Sequence, residues 1–363
     1  MAGDKLDYTK KAVAFALGHL GRQDHCSVVA FDDMVSMVAP SQPVENKDML
    51  KQSVMSIYPG GCTNLSGGML QGLREVKLAF KKEQINRVLL LTDGQANAGI
   101  TSHKRLIKKA GEMAGGGVTL STFGLGGDFE EDLLIAMAEA GGGNSYYIQS
   151  PDQIPGIFEQ ELSGLLSTVA QNLTVKLKTG DGVTVNGVLG YPFSAGDGIS
   201  INLPDIYSGE SKIILVELVI SPRVEGSHKL LDLELEYADV RENLALVSLK
   251  ASLETKFTNY PEEGPVENLE VIKHVELFRC AEAKEEAIRL ADQGDYEGGR
   301  NVLYQQLTNM SKLVQACDDP ELAEEVKELG KNIEYMNEPQ FYHESRKQMS
   351  YNAYQQKRGR KNR

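Results

Sequence analysis

The first 170 residues alternate between amphipathic helices and short apolar strands, and this alternation restricts the possible folds more than any other feature of the sequence. Val13 and Leu17 lie on one face of a predicted helix near the N-terminus. Residues 88–91 are consecutive aliphatic residues, as expected of a parallel strand buried on both faces. The resulting βαβα order predicts an α/β fold with an open, doubly wound, mostly parallel sheet.

We take this region as one domain over residues 1–170. Residues 26–31 and 34–39 indicate a hairpin with the second strand at an edge. Glycine triplets at 115–117 and 141–143 are expected to end two helices, where a positive φ is needed. The other predicted strands cover 88–91, 118–123 and 145–148, and the predicted helices cover about 4–20, 47–57, 65–80, 102–113, 130–140 and 151–170.

A different pattern begins near residue 171. Leu173, Val175 and Leu177 alternate strictly with polar residues, and later runs do the same. Alternation of period two with polar outer faces is typical of an antiparallel sheet. We therefore predict a β-sandwich module over residues 171–258.

The last third of the chain is helical in its pattern. A stretch at 260–265 with prolines and a glycine separates it from the β module, and a turn at 293–296 divides it into two helices. We predict a helical hairpin region over 266–340. It resembles one tetratricopeptide unit, but no second copy follows at a matching period. A polar, basic tail covers 341–363, and its last twenty residues are expected to be frayed or disordered.

The charge balance argues against nucleic acid and anionic membranes as partners. The chain carries 51 acidic and 38 basic residues, a formal net charge of −13, whereas binding to phosphate backbones needs clustered Lys and Arg. We interpret its one basic cluster as a solvated tail, with docking to an acidic partner as the alternative. The cluster contains Lys357, Arg358, Arg360, Lys361 and Arg363.

Two further features bear on the compartment. The most apolar run, residues 213–220, is too short to span a bilayer. The four cysteines show neither a CxxC pair nor metal-finger spacing. A reduced, cytoplasmic environment without membrane insertion is therefore the simplest expectation.

Two motifs fall where a doubly wound sheet binds its ligands, beyond the carboxyl ends of the strands. One is a glycine-rich loop at 60–68 that contains Thr63, and the other is a strand end at 91–94 that carries Asp93. A hydroxyl and a carboxylate at one sheet edge are hard oxygen ligands suited to Mg²⁺ or Mn²⁺. The motifs therefore predict a cation site.

Taken together, the motifs resemble those of the von Willebrand factor A family. The matching segments are SVVAFD at 27–32, GGCTNLSGG at 60–68 and LLLTDG at 89–94. The resemblance covers about residues 1–165, and the later regions resemble those of bacterial proteins in which an A-type domain comes first.

The resemblance implies a metal-ion-dependent adhesion site in which Thr63 and Asp93 are metal ligands. It implies that the metal leaves one coordination position for an acidic side chain of a protein partner. Asn64, Gly94 and Gln95 flank these ligands and are the expected partner contacts.

One part of the family pattern is absent from the chain. The family's Asp-x-Ser-x-Ser motif ends its first strand and comes directly before a segment that resembles residues 1–6. By this resemblance the chain lacks a strand that would lie between 27–31 and 88–91, together with several of the metal ligands. We therefore expect metal binding by the chain to be weak.

Simpler interpretations remain open for each motif. Thr63 can cap the helix that follows it, and Asp93 with Gly94 can be a strand-ending turn. Cys62 is expected to be a small loop residue, since the sequence places no base beside it. The absence of a nucleophile elbow, a phosphate loop and a complete GxGxxG motif argues against an enzyme. We predict a binding protein, with a structural scaffold whose metal site is non-functional as the alternative.

Overall fold

The chain forms two compact units in the computed structural model, which describes residues 1–191, 193–195, 198–242, 244–259, 268–336 and 344–358. The predicted linker at 260–265 lies outside the described residues. The first unit contains residues 1–171, 204–209 and 239–245, and the second contains 172–203, 210–238 and 246–363.

The first unit contains the predicted alternation of helices and strands. Gly117 and Gly142 have φ angles of 79° and 67°, so each predicted triplet supplies one left-handed residue after a helix. The strands are β1 (His25–Phe31), β2 (Val35–Pro43), β3 (Arg87–Thr92), β4 (Thr119–Leu125) and β5 (Gly142–Ile148). The helices are α1 (Asp4–His19), α2 (Lys47–Met55), α3 (Leu65–Leu78), α4 (His103–Gly115), α5 (Glu131–Ala140) and α6 (Ile154–Leu166), the last preceded by a 3₁₀ turn at Pro151–Gln153.

The strands of the first unit belong to two sheets. β3, β4 and β5 pair in parallel with β4 in the middle, which confirms the predicted parallel sheet. β1 and β2 form the predicted antiparallel hairpin. Among the described residues, β1 and β3 do not pair with each other.

β3 is less buried than its aliphatic sequence predicts. Val88 and Leu90 are buried, whereas Leu89 and Leu91 are only half-buried. The prediction of a strand buried on both faces was therefore wrong. The physical reason is that β3 pairs with β4 along one edge and ends the described parallel sheet at the other.

Helices cover both faces of the parallel sheet. Phe123 on β4 packs with Ala12 of α1 and with Phe158 of α6, and the two phenylalanine ring centroids are 4.7 Å apart. Its neighbour Thr122 faces the other side, where its hydroxyl donates to the Leu134 carbonyl of α5 at 2.9 Å. Alternate residues of one strand thus meet helices on opposite faces, which is the doubly wound arrangement. Burial of a side chain like Phe123 stabilises the fold by about 1.5–3 kcal/mol.

The β module contains two antiparallel pairings that produce a buried face. The strands are β6 (Thr168–Thr179), β7 (Val183–Leu189), β8 (Phe193–Ala195), β9 (Ile199–Leu203), β10 (Ile206–Tyr207), β11 (Leu215–Ile220), β12 (Gly226–Asp239) and β13 (Ala245–Phe257). β6 pairs with β9, and β7 pairs with β11. Leu173, Val175 and Leu177 of β6 are buried, which confirms the predicted alternation. The larger sheet has the order β13-β12-β6-β9-β8.

Helix α6 ends earlier than the sequence predicts. α6 ends at Leu166 and β6 begins at Thr168, so the predicted helix over 151–170 was wrong for its last residues. Thr168 and Ala170 pair instead with β10, which belongs to the segment that returns to the first unit. β10 is distant in sequence and pairs with the backbone of Thr168 and Ala170. The hydrophobic periodicity of the local sequence does not reveal such a partner.

The described residues after the β module form helices that share one hydrophobic core. The predicted turn at 293–296 is present, and the Asp295 carboxylate caps the second helix by accepting the Gly298 N–H at 2.8 Å. The predicted hairpin corresponds to only the first two of these helices. No helix in the described part of the chain is long and apolar enough to span a membrane. The helices are α7 (Leu269–Asp292), α8 (Tyr296–Cys317), α9 (Pro320–Tyr335) and α10 (Glu344–Lys357).

α10 lies where the sequence analysis expected a disordered tail, and that expectation was wrong for residues 344–357. Met349 is buried in the same core as Cys280 and Leu329. The Asn352 amide donates to Glu328 Oε1 at 2.7 Å, so polar residues of α10 also find partners inside the helical region. Of the basic cluster, Lys357 pairs with Glu285 at 2.5 Å, while Arg360, Lys361 and Arg363 lie outside the described residues.

Candidate functional site

Residues from β1, β3, α1 and the glycine-rich loop line one cavity of the first unit. Its volume is about 1090 Å³, and its lining includes Val28, Leu91, Thr63 and Asp93. By the family resemblance, the first strand of the family is expected between the segments that form β1 and β3. In the structure these two strands are not paired, and both contribute to the wall of this central cavity.

Thr63 lies directly beside the residue that follows Asp93. A Cβ atom added to Gly94 would be 2.8 Å from the Thr63 hydroxyl oxygen, so the Thr63 side chain lies close against the Gly94 backbone. The Thr63 N–H donates to Asn97 Oδ1 at 2.7 Å. The Thr63 carbonyl accepts the N–H groups of Asn97 and Ala98, both at 3.3 Å. The loop after β3 therefore holds the glycine-rich loop in place.

Asp93 keeps its carboxylate free of the strand-ending turn. The Thr92 hydroxyl makes that turn, since it accepts the Gly94 N–H at 3.2 Å. The Asp93 side chain is 20% exposed, and its Oδ1 lies 3.3 Å from the α-amino nitrogen of Met1. The chain does bend at Asp93 and Gly94, as the turn interpretation predicts, but the Thr92 hydroxyl and not the Asp93 carboxylate supplies the hydrogen bond.

Asn64, and not Thr63, caps helix α3. Asn64 Oδ1 accepts the Gly67 N–H at 2.9 Å and the Ser66 hydroxyl at 3.2 Å. The interpretation of Thr63 as the helix cap is wrong, and its hydroxyl is not used in that way. Asn64 was predicted to contact a partner, and the structure adds this capping role. Gln95, a second predicted partner contact, is exposed.

The end of β1 positions the other side of the glycine-rich loop. The Asn64 N–H donates to the Asp32 carbonyl at 2.8 Å, and the Asp33 carboxylate accepts the Cys62 N–H. A Cβ atom at Gly60 would overlap the Asp32 carboxylate, so this position requires glycine. In the sequence, Asp32 and Asp33 simply separate the two predicted strands at 26–31 and 34–39.

Two polar residues of the site, Asn97 and Asp33, were missed from the sequence. Asn97 follows a buried strand within the loop LTDGQAN, and polar residues after a strand end were the signal that identified Asp93. Asp33 follows β1 in the same way. The two side chains accept hydrogen bonds from the backbone N–H groups of Thr63 and Cys62, which are distant from them in sequence.

The thiol of Cys62 shows no sign of activation. The hydrogen bond with Asp33 and the charge of that carboxylate raise the pKa of Cys62 above its ordinary value. The thiolate is the nucleophilic form of cysteine, so a raised pKa disfavours nucleophilic chemistry at neutral pH. This agrees with the interpretation of Cys62 as a small loop residue.

The donors at the site fit a hard divalent cation in kind, although they are few. Thr63 and Asp93 offer a hydroxyl and a carboxylate, and Mg²⁺ accepts one or two protein carboxylates with water in its remaining positions. Within the described residues, no group of three or more His, Cys, Asp and Glu side chains is arranged to hold a metal. The residues present are therefore compatible with weak binding of a largely hydrated cation.

Comparison with known proteins identifies the first unit. Residues 1–160 match the family model of the von Willebrand factor type A domain. The uncharacterized protein YfbK of Escherichia coli is 25% identical over 260 residues, which cover 69% of the chain and 45% of YfbK. The uncharacterized protein sll0103 of Synechocystis is 22% identical over 317 residues, covering 84% of the chain and 74% of that protein.

A solved structure has a similar fold along the chain. The von Willebrand factor type A protein from Catenulispora acidiphila superposes with a TM-score of 0.72 at 15% identity, covering 99% of the chain and 86% of that structure. At this identity the likeness concerns the fold alone. The chain spans less than half the length of YfbK.

Proposed function

Because residues 1–160 form a von Willebrand factor type A domain, we propose that the chain is a binding module that recognises a protein partner through an acidic side chain. The observation that carries the proposal is the position of Thr63 against Gly94, next to a partly exposed Asp93 carboxylate. Neither the Thr63 hydroxyl nor the Asp93 carboxylate is used by the helix cap or the turn beside it.

Thr63 and Asp93 are the proposed ligands of Mg²⁺ or Mn²⁺. When bound, the cation supplies a positive charge and a coordination position that a carboxylate oxygen can fill. Gln95 is exposed and is the proposed partner contact with the most accessible side chain. Gly94 and Asn64 are the other proposed contacts, and Asn64 also keeps the loop in shape as the cap of α3.

We assign the module a non-enzymatic, cytoplasmic role with a protein partner. The raised pKa of Cys62 and the lack of an enzyme motif in the sequence support the absence of catalysis. The net charge of −13 supports a partner other than nucleic acid.

The competing function is a structural scaffold with a non-functional metal site. The small number of donors favours it, because the described residues hold no cluster of three acidic, His or Cys side chains. The two functions differ in what a chelator does to partner binding.

Calorimetric titration of the chain with Mg²⁺ and Mn²⁺ tests the metal site. We expect weak binding that Thr63→Val and Asp93→Asn abolish, because each change removes one of few oxygen ligands. Asp48→Asn is the matched control, since Asp48 is an exposed carboxylate on α2 of the same unit. Equal metal affinity in all variants contradicts the site.

Affinity capture from the host extract tests recognition. The chain, its Asp93→Asn variant and its Asp48→Asn variant serve as baits, each in Mg²⁺ and in EDTA. We expect partners that are retained only by the chain and the control variant, and only with Mg²⁺. Partners retained equally under all conditions indicate the scaffold function instead.

A further inference from the structure

The outer edge of β13 has no strand partner in the described part of the chain. β13 is the terminal strand of the sheet order β13-β12-β6-β9-β8. It runs from Ala245 to Phe257 and contains neither proline nor glycine. Natural proteins usually shorten, bend or cover such edges, because their free N–H and C=O groups pair with other strands. A long and exposed edge is therefore a pairing surface.

One face of β13 is apolar and exposed. Leu249 and Leu253 are each 52% exposed, and Val247, Ala251 and Phe257 lie on the same face by the alternation of a strand. Ser248 bonds to Glu234 and Ser252 to Asp232 on β12, so these four residues share a polar face. The odd-numbered residues of β13 therefore extend the face that carries buried Leu231.

The sequence of β13 is complementary to itself. An antiparallel pairing with a twofold axis through Ser252 places Lys250 opposite Glu254 of the second copy, twice by symmetry. On the apolar face the same register places Ala251 opposite Leu253, and Val247 opposite Phe257. A twofold axis through residue 250 would place Lys250 opposite Lys250 of the second copy. An axis through residue 253 would place Lys250 opposite Lys256, so both registers bring like charges together. Of these three registers, the one at Ser252 is the one that charge favours.

We propose that a second copy of this chain binds along β13 and forms a symmetric dimer through a continuous antiparallel sheet. The partner is a second copy because β13 is complementary to itself. Its apolar face and its Lys250 and Glu254 charges match those of a second β13 in antiparallel pairing. The two lysines of β13, which would otherwise protect the edge, lie opposite Glu254 and Ser248 in this register.

Charge reversal tests the pairing on the full chain, with the oligomeric state measured by sedimentation and native mass spectrometry over a range of concentrations. We expect Lys250→Glu and Glu254→Lys each to weaken the dimer about tenfold or more, because each creates two like-charge pairs. The double variant restores opposite charges and should restore the dimer.

Lys176→Glu is the matched control. Lys176 pairs with Glu236 on β12, as Lys250 pairs with Glu234, but it lies on the interior strand β6. Circular dichroism confirms that each variant is folded. A chain that is monomeric at all concentrations overturns the proposal, as does a dimer that both single variants leave unchanged.

Cross-linking tests the register independently. In a Cys62→Ser background, Ser252→Cys places two thiols opposite each other across the axis, within reach of a short bis-maleimide. Ser248→Cys is the control, because it lies opposite Lys256 in this register. We expect a cross-linked dimer from the first variant in much higher yield. Equal yields from the two variants contradict the register.

Discussion

Arg87 and Glu161 form a buried ion pair in the first unit, with 3.0 Å between Nη1 and Oε1 and side-chain exposures of 3% and 0%. Arg87 also pairs with Asp205 at 2.5 Å and donates from Nε to the Thr119 hydroxyl at 2.8 Å. Glu161 accepts hydrogen bonds from Ser121, Asn144 and Tyr146. The pair therefore connects β3, α6 and the segment at 204–209 that returns from the β module.

Arg87→Met is expected to destabilise the first unit by about 3–5 kcal/mol, because it leaves two buried carboxylates without their cation. Urea unfolding followed by circular dichroism measures the change. Arg74→Met is the control, since Arg74 is exposed on α3. A loss for Arg87→Met no larger than that of the control would show that the network contributes little to stability.

Glu161→Gln is expected to flatten the acid dependence of stability. Burial raises the pKa of Glu161, but the Arg87 charge and three hydrogen bonds outweigh burial, and the pKa lies below its ordinary value. The stabilisation by Glu161 is therefore complete above an ordinary glutamate pKa of about 4.3 and is lost as the pH falls towards the lower folded value. The pKa of Asp205 shifts in the opposite direction, because burial raises it despite the nearby charge of Arg87.

The free energy of unfolding, measured from about pH 6 down to pH 3, checks this prediction. The Glu161→Gln variant should be less stable than the wild type at pH 6, and the two curves should converge on acidification. Glu159→Gln, an exposed change on the same helix, should run parallel to the wild type. Curves for Glu161→Gln that stay parallel to the wild type would contradict the assignment.

Gly94→Ala is expected to displace Thr63 and weaken the proposed metal site. The new Cβ would be 2.8 Å from the Thr63 hydroxyl oxygen, which is closer than real Cβ contacts come. Overpacking of this kind costs about 1–3 kcal/mol. Gly127→Ala is the control, because nothing lies within 4 Å of its Cβ position. Thermal unfolding and Mn²⁺ titration of the two variants should differ, and identical behaviour would contradict the close approach.

Two substitutions at Asn64 separate its capping role from its proposed role in partner binding. Asn64→Ala removes the cap of α3 and should cost about 1 kcal/mol, whereas Asn64→Ser keeps a capping oxygen and most of the stability. A contact with the partner would make both variants weaker in capture experiments. Normal capture by Asn64→Ser would limit Asn64 to the structural role.

Met349→Ala is expected to destabilise the second unit by about 2–5 kcal/mol, since Met349 is fully buried in the helical core. Glu344→Ala, an exposed change at the start of the same helix, should have little effect. Chemical unfolding that monitors the helical signal measures both variants. A negligible change for Met349→Ala would mean that α10 does not contribute to the core.

The sequence by itself determined the order of helices and strands in the first unit, because hydrophobic periodicity and glycine placement act over a few residues. The parallel strands β3 to β5, the hairpin of β1 and β2, and the turn at 293–296 were all visible in this way. The same local signals identified Thr63 in a glycine-rich loop and Asp93 at the end of a strand, and ligands of this fold class bind beyond strand ends.

Only the tertiary structure decided which side chains the fold itself uses. Asn64 rather than Thr63 caps α3, and the Thr92 hydroxyl rather than the Asp93 carboxylate accepts the Gly94 N–H. The Asp93 carboxylate pairs instead with the α-amino group of Met1. α10 is ordered because its few apolar residues reach a core built by distant helices, and average polarity does not show this. The partners Arg87 and Asp205 are 118 residues apart, so burial and hydrogen bonding, and not local pattern, brought them together.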